Sequence, residues 1–126
     1  MRHLVSAMLV VAAIIHLLPI SGVLGAERLA TMYGIAVDEA NLTILMRHRA
    51  VLFGLLGVFL LAAAFRPELQ VIAFVAGFAS VLSFLYLAWS VGGYNAQVAR
   101  VVYADVLALA CLIVGAVTLW FLRRQG

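Results

Sequence analysis

Lysine is absent from this 126-residue chain, which holds one cysteine, two prolines and five acidic residues. Each scarcity removes a class. A lone Cys111 excludes an internal disulfide and any cluster of cysteine metal ligands. The eight arginines are scattered from Arg2 to Arg124 and form no basic patch of the kind that tracks a phosphate backbone, so nucleic acid is not an expected partner. Charged residues make up 10% of the chain, against about a quarter in ordinary soluble domains. The remainder is apolar: 67% of residues are hydrophobic and the mean hydropathy is +1.22. A soluble fold of this size has too little interior to hide that much apolar surface. A disordered tail would be polar. The composition predicts an all-α fold, an integral membrane bundle of four transmembrane helices forming a single domain over residues 1–126. Its first partner is the lipid bilayer.

A bilayer core about 30 Å thick takes roughly 20 apolar residues as helix. Charge-free runs and turn signals place helices at about 4–24, 45–65, 69–91 and 98–122, with an extramembrane loop at about 25–43. Pro67 sits where a new helix accepts it, at the first turn. Gly92-Gly93-Tyr94-Asn95 breaks the third helix before the fourth begins. Within the first loop, Glu27 to Tyr33 reads as a short interfacial helix stopped by Gly34. The start of the chain resembles a secretory signal, yet its apolar run is long and contains His16 and Pro19, which favours a retained first span. Arg2, Arg66, Arg123 and Arg124 fall on one side; Arg28, Arg47, Arg49 and Arg100 fall on the other. Three of the latter lie at or within helix ends, so both termini are expected on the cytoplasmic side, with insertion in both directions left open.

Polar residues inside spans are the candidates for function. His16 shares a face with Ala12 and Ala13, and Asp105 shares one with Ala108, Leu112 and Ala116, so both are expected to point into the bundle. In the third helix, Ala73, Ala76, Ser80, Ser83, Leu87 and Ser90 form a stripe of mostly small residues suited to close packing. His16, Ser83 and Asp105 each lie eight residues inside the expected helix ends at Leu24, Val91 and Gln97, a depth of about 12 Å. Arg49 has a side chain long enough to reach them. The expected ligand-binding set is therefore His16, Arg49, Ser83 and Asp105, rimmed by Arg47, His48, Tyr86, Arg100 and Tyr103. No metal site is expected. The three histidines lack helical ligand spacing, and His16 and His48 differ too much in depth to share a haem. No cofactor is evident from motifs; the polar pocket suits a quinone-like head group or a proton-coupled substrate equally. The catalytic assignment stays open, leaning away from an enzyme.

The run Met46-Arg47-His48-Arg49-Ala50-Val51-Leu52-Phe53-Gly54-Leu55-Leu56-Gly57, after a loop with Leu29-Ala30-Thr31-Met32-Tyr33-Gly34, resembles small bacterial four-helix membrane proteins of the DoxX-like type. The resemblance implies a four-helix bundle in the bacterial cytoplasmic membrane. Some DoxX-like proteins are membrane subunits linked to quinone-coupled oxidation, which implies a lipophilic, quinone-like ligand and a membrane-complex partner. Arg49, Gly54 and Gly57 match best. The length and span count are also similar to those of small multidrug-type transporters and dual-topology fluoride channels, keeping a homo-oligomeric (homodimeric) transporter or channel as the alternative. The former place a glutamate in helix one, where this chain has His16, and the latter's glycine-arginine signature is missing.

Overall fold

The computed structural model describes residues 2–18 and 40–125. The expected end of the first span at 19–24, the loop over 25–39 and its short interfacial helix lie outside the described residues. Four helices follow in order: α1 (Arg2–Leu17), α2 (Ala40–Ala64), α3 (Gln70–Val91) and α4 (Ala96–Gln125). A 3₁₀ turn at Pro67–Leu69 leads into α3. No strand occurs among the described residues. α1 packs against α2 and α4, α3 packs against α4, and α2 against α3, which closes the four helices into a ring of neighbours.

Hydrophobicity does not select the inward face of these helices, because the outward face is equally apolar. Leu55, Val58, Ile72, Val75 and Val117 are all exposed. Side-chain size does the selecting. α1 buries Val5, Leu9, Ala12, Ala13 and His16; α2 buries Ala50, Gly54, Gly57, Leu60, Ala63 and Ala64; α4 buries Asp105, Ala108, Cys111, Leu112, Gly115 and Thr118. These spacings of three and four build stripes along which backbones approach closely. Among the described residues, three helices are long and apolar enough to cross a membrane, Ala40–Ala64, Pro67–Val91 and Ala96–Gln125. A monomeric soluble protein rarely presents so continuous an apolar exterior.

The turns follow from local chemistry. Arg66 is extended, at φ −133° and ψ 95°, because the proline ring that follows excludes the helical region. Its Nε donates to Glu68 Oε1 at 2.9 Å across the turn. α3 ends at Gly92 and Gly93, both at φ 66°, a region that side chains avoid. Asn95 then opens α4, its Oδ1 accepting from the Val98 N–H at 2.8 Å.

The helix ends differ from the expected spans most in α2 and α4. α2 begins at Ala40 rather than about 45, so residues 40–43 of the expected loop are helical. α4 runs from Ala96 to Gln125, beyond the expected 98–122. The expectation followed the apolar run, whereas backbone hydrogen bonding continues through polar residues until a breaker intervenes.

The register of each pair is set by contacts along it. Ser6 Oγ donates to the Ala64 carbonyl at 2.5 Å, and further along the His16 and Phe53 rings lie 5.8 Å apart, so α1 and α2 run antiparallel. Between α3 and α4, Gly77 faces Leu112 and Gly115 faces Phe74. A Cβ at Gly115 would meet the Phe74 ring at 2.8 Å and Met8 Cβ at 3.1 Å. Gly115→Ala is therefore expected to lower stability by about 1–3 kcal/mol through overpacking. Adding Phe74→Leu should recover part of that loss. Unfolding in detergent micelles, compared across the two single variants and the double, measures both effects.

Candidate functional site

One cleft, of about 220 Å³, gathers polar side chains from three helices: His16 from α1, Arg49 from α2, and Gln97, Arg100 and Asp105 from α4. Its walls are apolar, from Ile15, Leu18, Phe53, Val101 and Ala104. The α4 residues at 97, 100, 101, 104 and 105 follow three-and-four spacing, so a single face of that helix lines the cleft.

His16 is 2% exposed and both ring nitrogens have partners. Nδ1 lies 2.8 Å from the Ala12 carbonyl, which only accepts, so Nδ1 carries the hydrogen. In the neutral ring Nε2 is then an acceptor, and Ser80 Oγ donates to it at 3.3 Å. The ring also lies 5.8 Å from that of Phe53, tilted by 50°. Ser80 belongs to α3, which is not a neighbour of α1 in the ring of helices, so this bond crosses the bundle on its diagonal.

Arg49 is placed one turn before Phe53 on α2. Its guanidinium carbon lies 4.5 Å from the Phe53 ring centroid and 5.8 Å from that of Phe84 on α3. Cation–π contacts of this kind strengthen as water is excluded. The guanidinium also acts electrostatically on the Asp105 carboxyl, itself 7% exposed, across the cleft. A charge withdrawn from water is costly unless an opposite charge or a donor faces it. Arg49 supplies an opposite charge on the cleft that Asp105 also lines.

The cleft brings together His16, Arg49, Arg100 and Asp105 of the expected set. Ser83 is not among its lining residues; it is exposed, and its hydroxyl donates back to the Ser80 carbonyl at 2.9 Å. The hydroxyl facing His16 is that of Ser80, three residues earlier on the same stripe. The two serines share one stripe of α3, but a rise of about 4.5 Å and a rotation of about 60° separate them. Tyr86 and Tyr103 stand outward at 63% and 72% exposure. Arg47 and His48 are exposed, each turned away by about 100° per residue from its neighbour on α2. Phe53 and Gln97 line the cleft without having been singled out. Phe53 follows Arg49 by four residues and Gln97 precedes Asp105 by eight, the helical spacings that would have found them.

Ser80→Ala is expected to cost about 1 kcal/mol by leaving the His16 Nε2 without its donor. Ser83→Ala should stay within about 0.5 kcal/mol of the parent, since its hydroxyl serves only its own helix. Denaturant unfolding of the two variants in micelles separates these outcomes.

No family model matches this chain, and no curated protein or solved structure matches it either, so its function is argued from the cleft itself.

Proposed function

We propose that the protein is a multi-pass protein of the bacterial cytoplasmic membrane, with four spans, and that it binds the polar head of a small lipophilic molecule in the His16–Asp105 cleft. The observation that carries this reading is the convergence of two arginines, a histidine and an aspartate on a small space with apolar walls. At about 220 Å³ the cleft is smaller than the ~300–1,000 Å³ of pockets that enclose a drug-sized ligand. It has room for one ring and not for a tail, which would lie along the apolar exterior near Leu18.

A quinone-like head group suits the donors and acceptors present. Guanidinium N–H groups of Arg49 and Arg100 donate to carbonyl oxygens, and the Asp105 carboxylate accepts from a hydroxyl on the reduced ring. Phe53 and His16 supply flat surfaces beside it. In this reading the chain is a binding subunit, serving a membrane-complex partner, and the DoxX-like resemblance of residues 46–57 is part of the same proposal.

Asp105→Asn and Arg49→Gln are each expected to weaken binding of a short-chain benzoquinone about tenfold, equivalent to about 1.4 kcal/mol. Binding is read by titration of the purified protein in neutral detergent. Native mass spectrometry of protein extracted from membranes should show a co-purified lipophilic ligand that His16→Ala depletes. Unchanged affinity in all three variants would remove the pocket reading. For topology, reporter fusions at Arg66 and at Gly126 should both report the cytoplasm; a periplasmic signal from most copies at either point contradicts the orientation.

A further inference from the structure

At the far end of the bundle lies a second and larger cavity, of about 800 Å³, where the start of α1, the end of α2, the turn into α3 and the end of α4 meet. It is built from basic side chains above apolar walls. Arg2, His3 and Arg123 line it, together with Phe65, Leu119 and Leu122. No carboxylate occurs among the described residues that line it. Among the described residues at this end, the acidic Glu68 is engaged by Arg66 at 2.9 Å.

Among the described residues, four arginines, Arg2, Arg66, Arg123 and Arg124, lie at this end with Glu68 as the acidic side chain beside them.

The local backbone is also prepared for a negative group. The carbonyls of Ala63 and Ala64 belong to the C-terminal end of α2, where unpaired oxygens carry the negative end of the helix dipole and repel anions. Both are occupied by donors: Gln70 Nε2 at 3.1 Å from Ala63 O, and Ser6 Oγ at 2.5 Å from Ala64 O. What faces the cavity is positive charge. Two arginines and a histidine around one space match the several acceptor oxygens of a phosphate better than a single carboxylate. The volume far exceeds that of a bare ion, and the leucine walls suit the chain beginnings of a lipid.

We propose that this cavity binds a phosphate ester anion, carried by the head group of an anionic phospholipid. The phosphate chemistry is independent of the His16 cleft, while the lipid as its source rests on the membrane reading above.

The test uses the full chain in neutral detergent, titrated with short-chain phosphatidylglycerol, with phosphatidylcholine of the same chain length, and with inorganic phosphate, read by native mass spectrometry and thermal stability. The anionic lipid is expected to bind about tenfold more tightly than the zwitterionic one. The double variant Arg2→Gln, Arg123→Gln should weaken it by about tenfold or more. Arg124→Gln is the control: its guanidinium sits 4.8 Å over the Trp120 ring, outside the cavity lining, and a change of less than about twofold is expected. Equal affinity for the two lipids, or equal loss in the double variant and in Arg124→Gln, overturns the site and leaves only diffuse surface charge. Stabilisation by inorganic phosphate without binding of phosphatidylglycerol keeps the phosphate site but overturns the lipid source.

Discussion

A polar ring inside an apolar bundle must find its hydrogen-bond partners within the protein, since neither lipid nor packed side chains supply them. His16 meets this constraint with one bond to its own helix and one across the diagonal to Ser80. The second bond has consequences beyond its own strength. Dispersion between small residues is non-directional and tolerates sliding or rotation, whereas a hydrogen bond does not. It fixes which face of α3 meets α1, although the two helices are not ring neighbours. Phe53 reaches the imidazole from α2, and Arg49 lies one turn before Phe53 on that same helix.

The helical architecture was legible because span length and turn residues are physical limits that single sequences carry. Pro67 and the Gly92-Gly93 pair mark the two short connections where the structure has them. The inward faces of α1 and α4 were legible too, through alanines: Ala12 and Ala13 beside His16, and Ala108 beside Asp105, are all fully buried. Periodicity of hydrophobicity had nothing to offer, as both faces of each helix are apolar. Depth along a helix axis was readable from residue counting, and it placed Ser80 and Ser83 within one turn of each other. Rotation about the axis was not, which is why Ser83 stood in the expected set where Ser80 makes the bond. The start of α2 was missed because Asn41 and Thr43 look like loop residues while belonging to a helix.

The two cavities illustrate different degrees of legibility for a related reason. The cleft at His16 draws on residues that are individually conspicuous, being ionisable within apolar runs. The larger cavity draws on Arg2, His3 and Arg123, each of which reads alone as an ordinary helix-end cation. Only assembly of four helix ends puts them around one space. Charge placement along the sequence contained the asymmetry, but not the hollow that gives it a shape.

Arg49 carries one further consequence. A free arginine side chain has about 2 kcal/mol of rotamer entropy to lose when it is fixed in place. Here the guanidinium is already held beside Phe53 at 4.5 Å and near Phe84 at 5.8 Å, with the Asp105 charge across the cleft. Most of that ordering takes place when the chain folds, before any molecule enters. A ligand arriving at this cleft would meet a preorganised cation, and a contact that is marginal on a mobile side chain would keep most of its free energy as affinity.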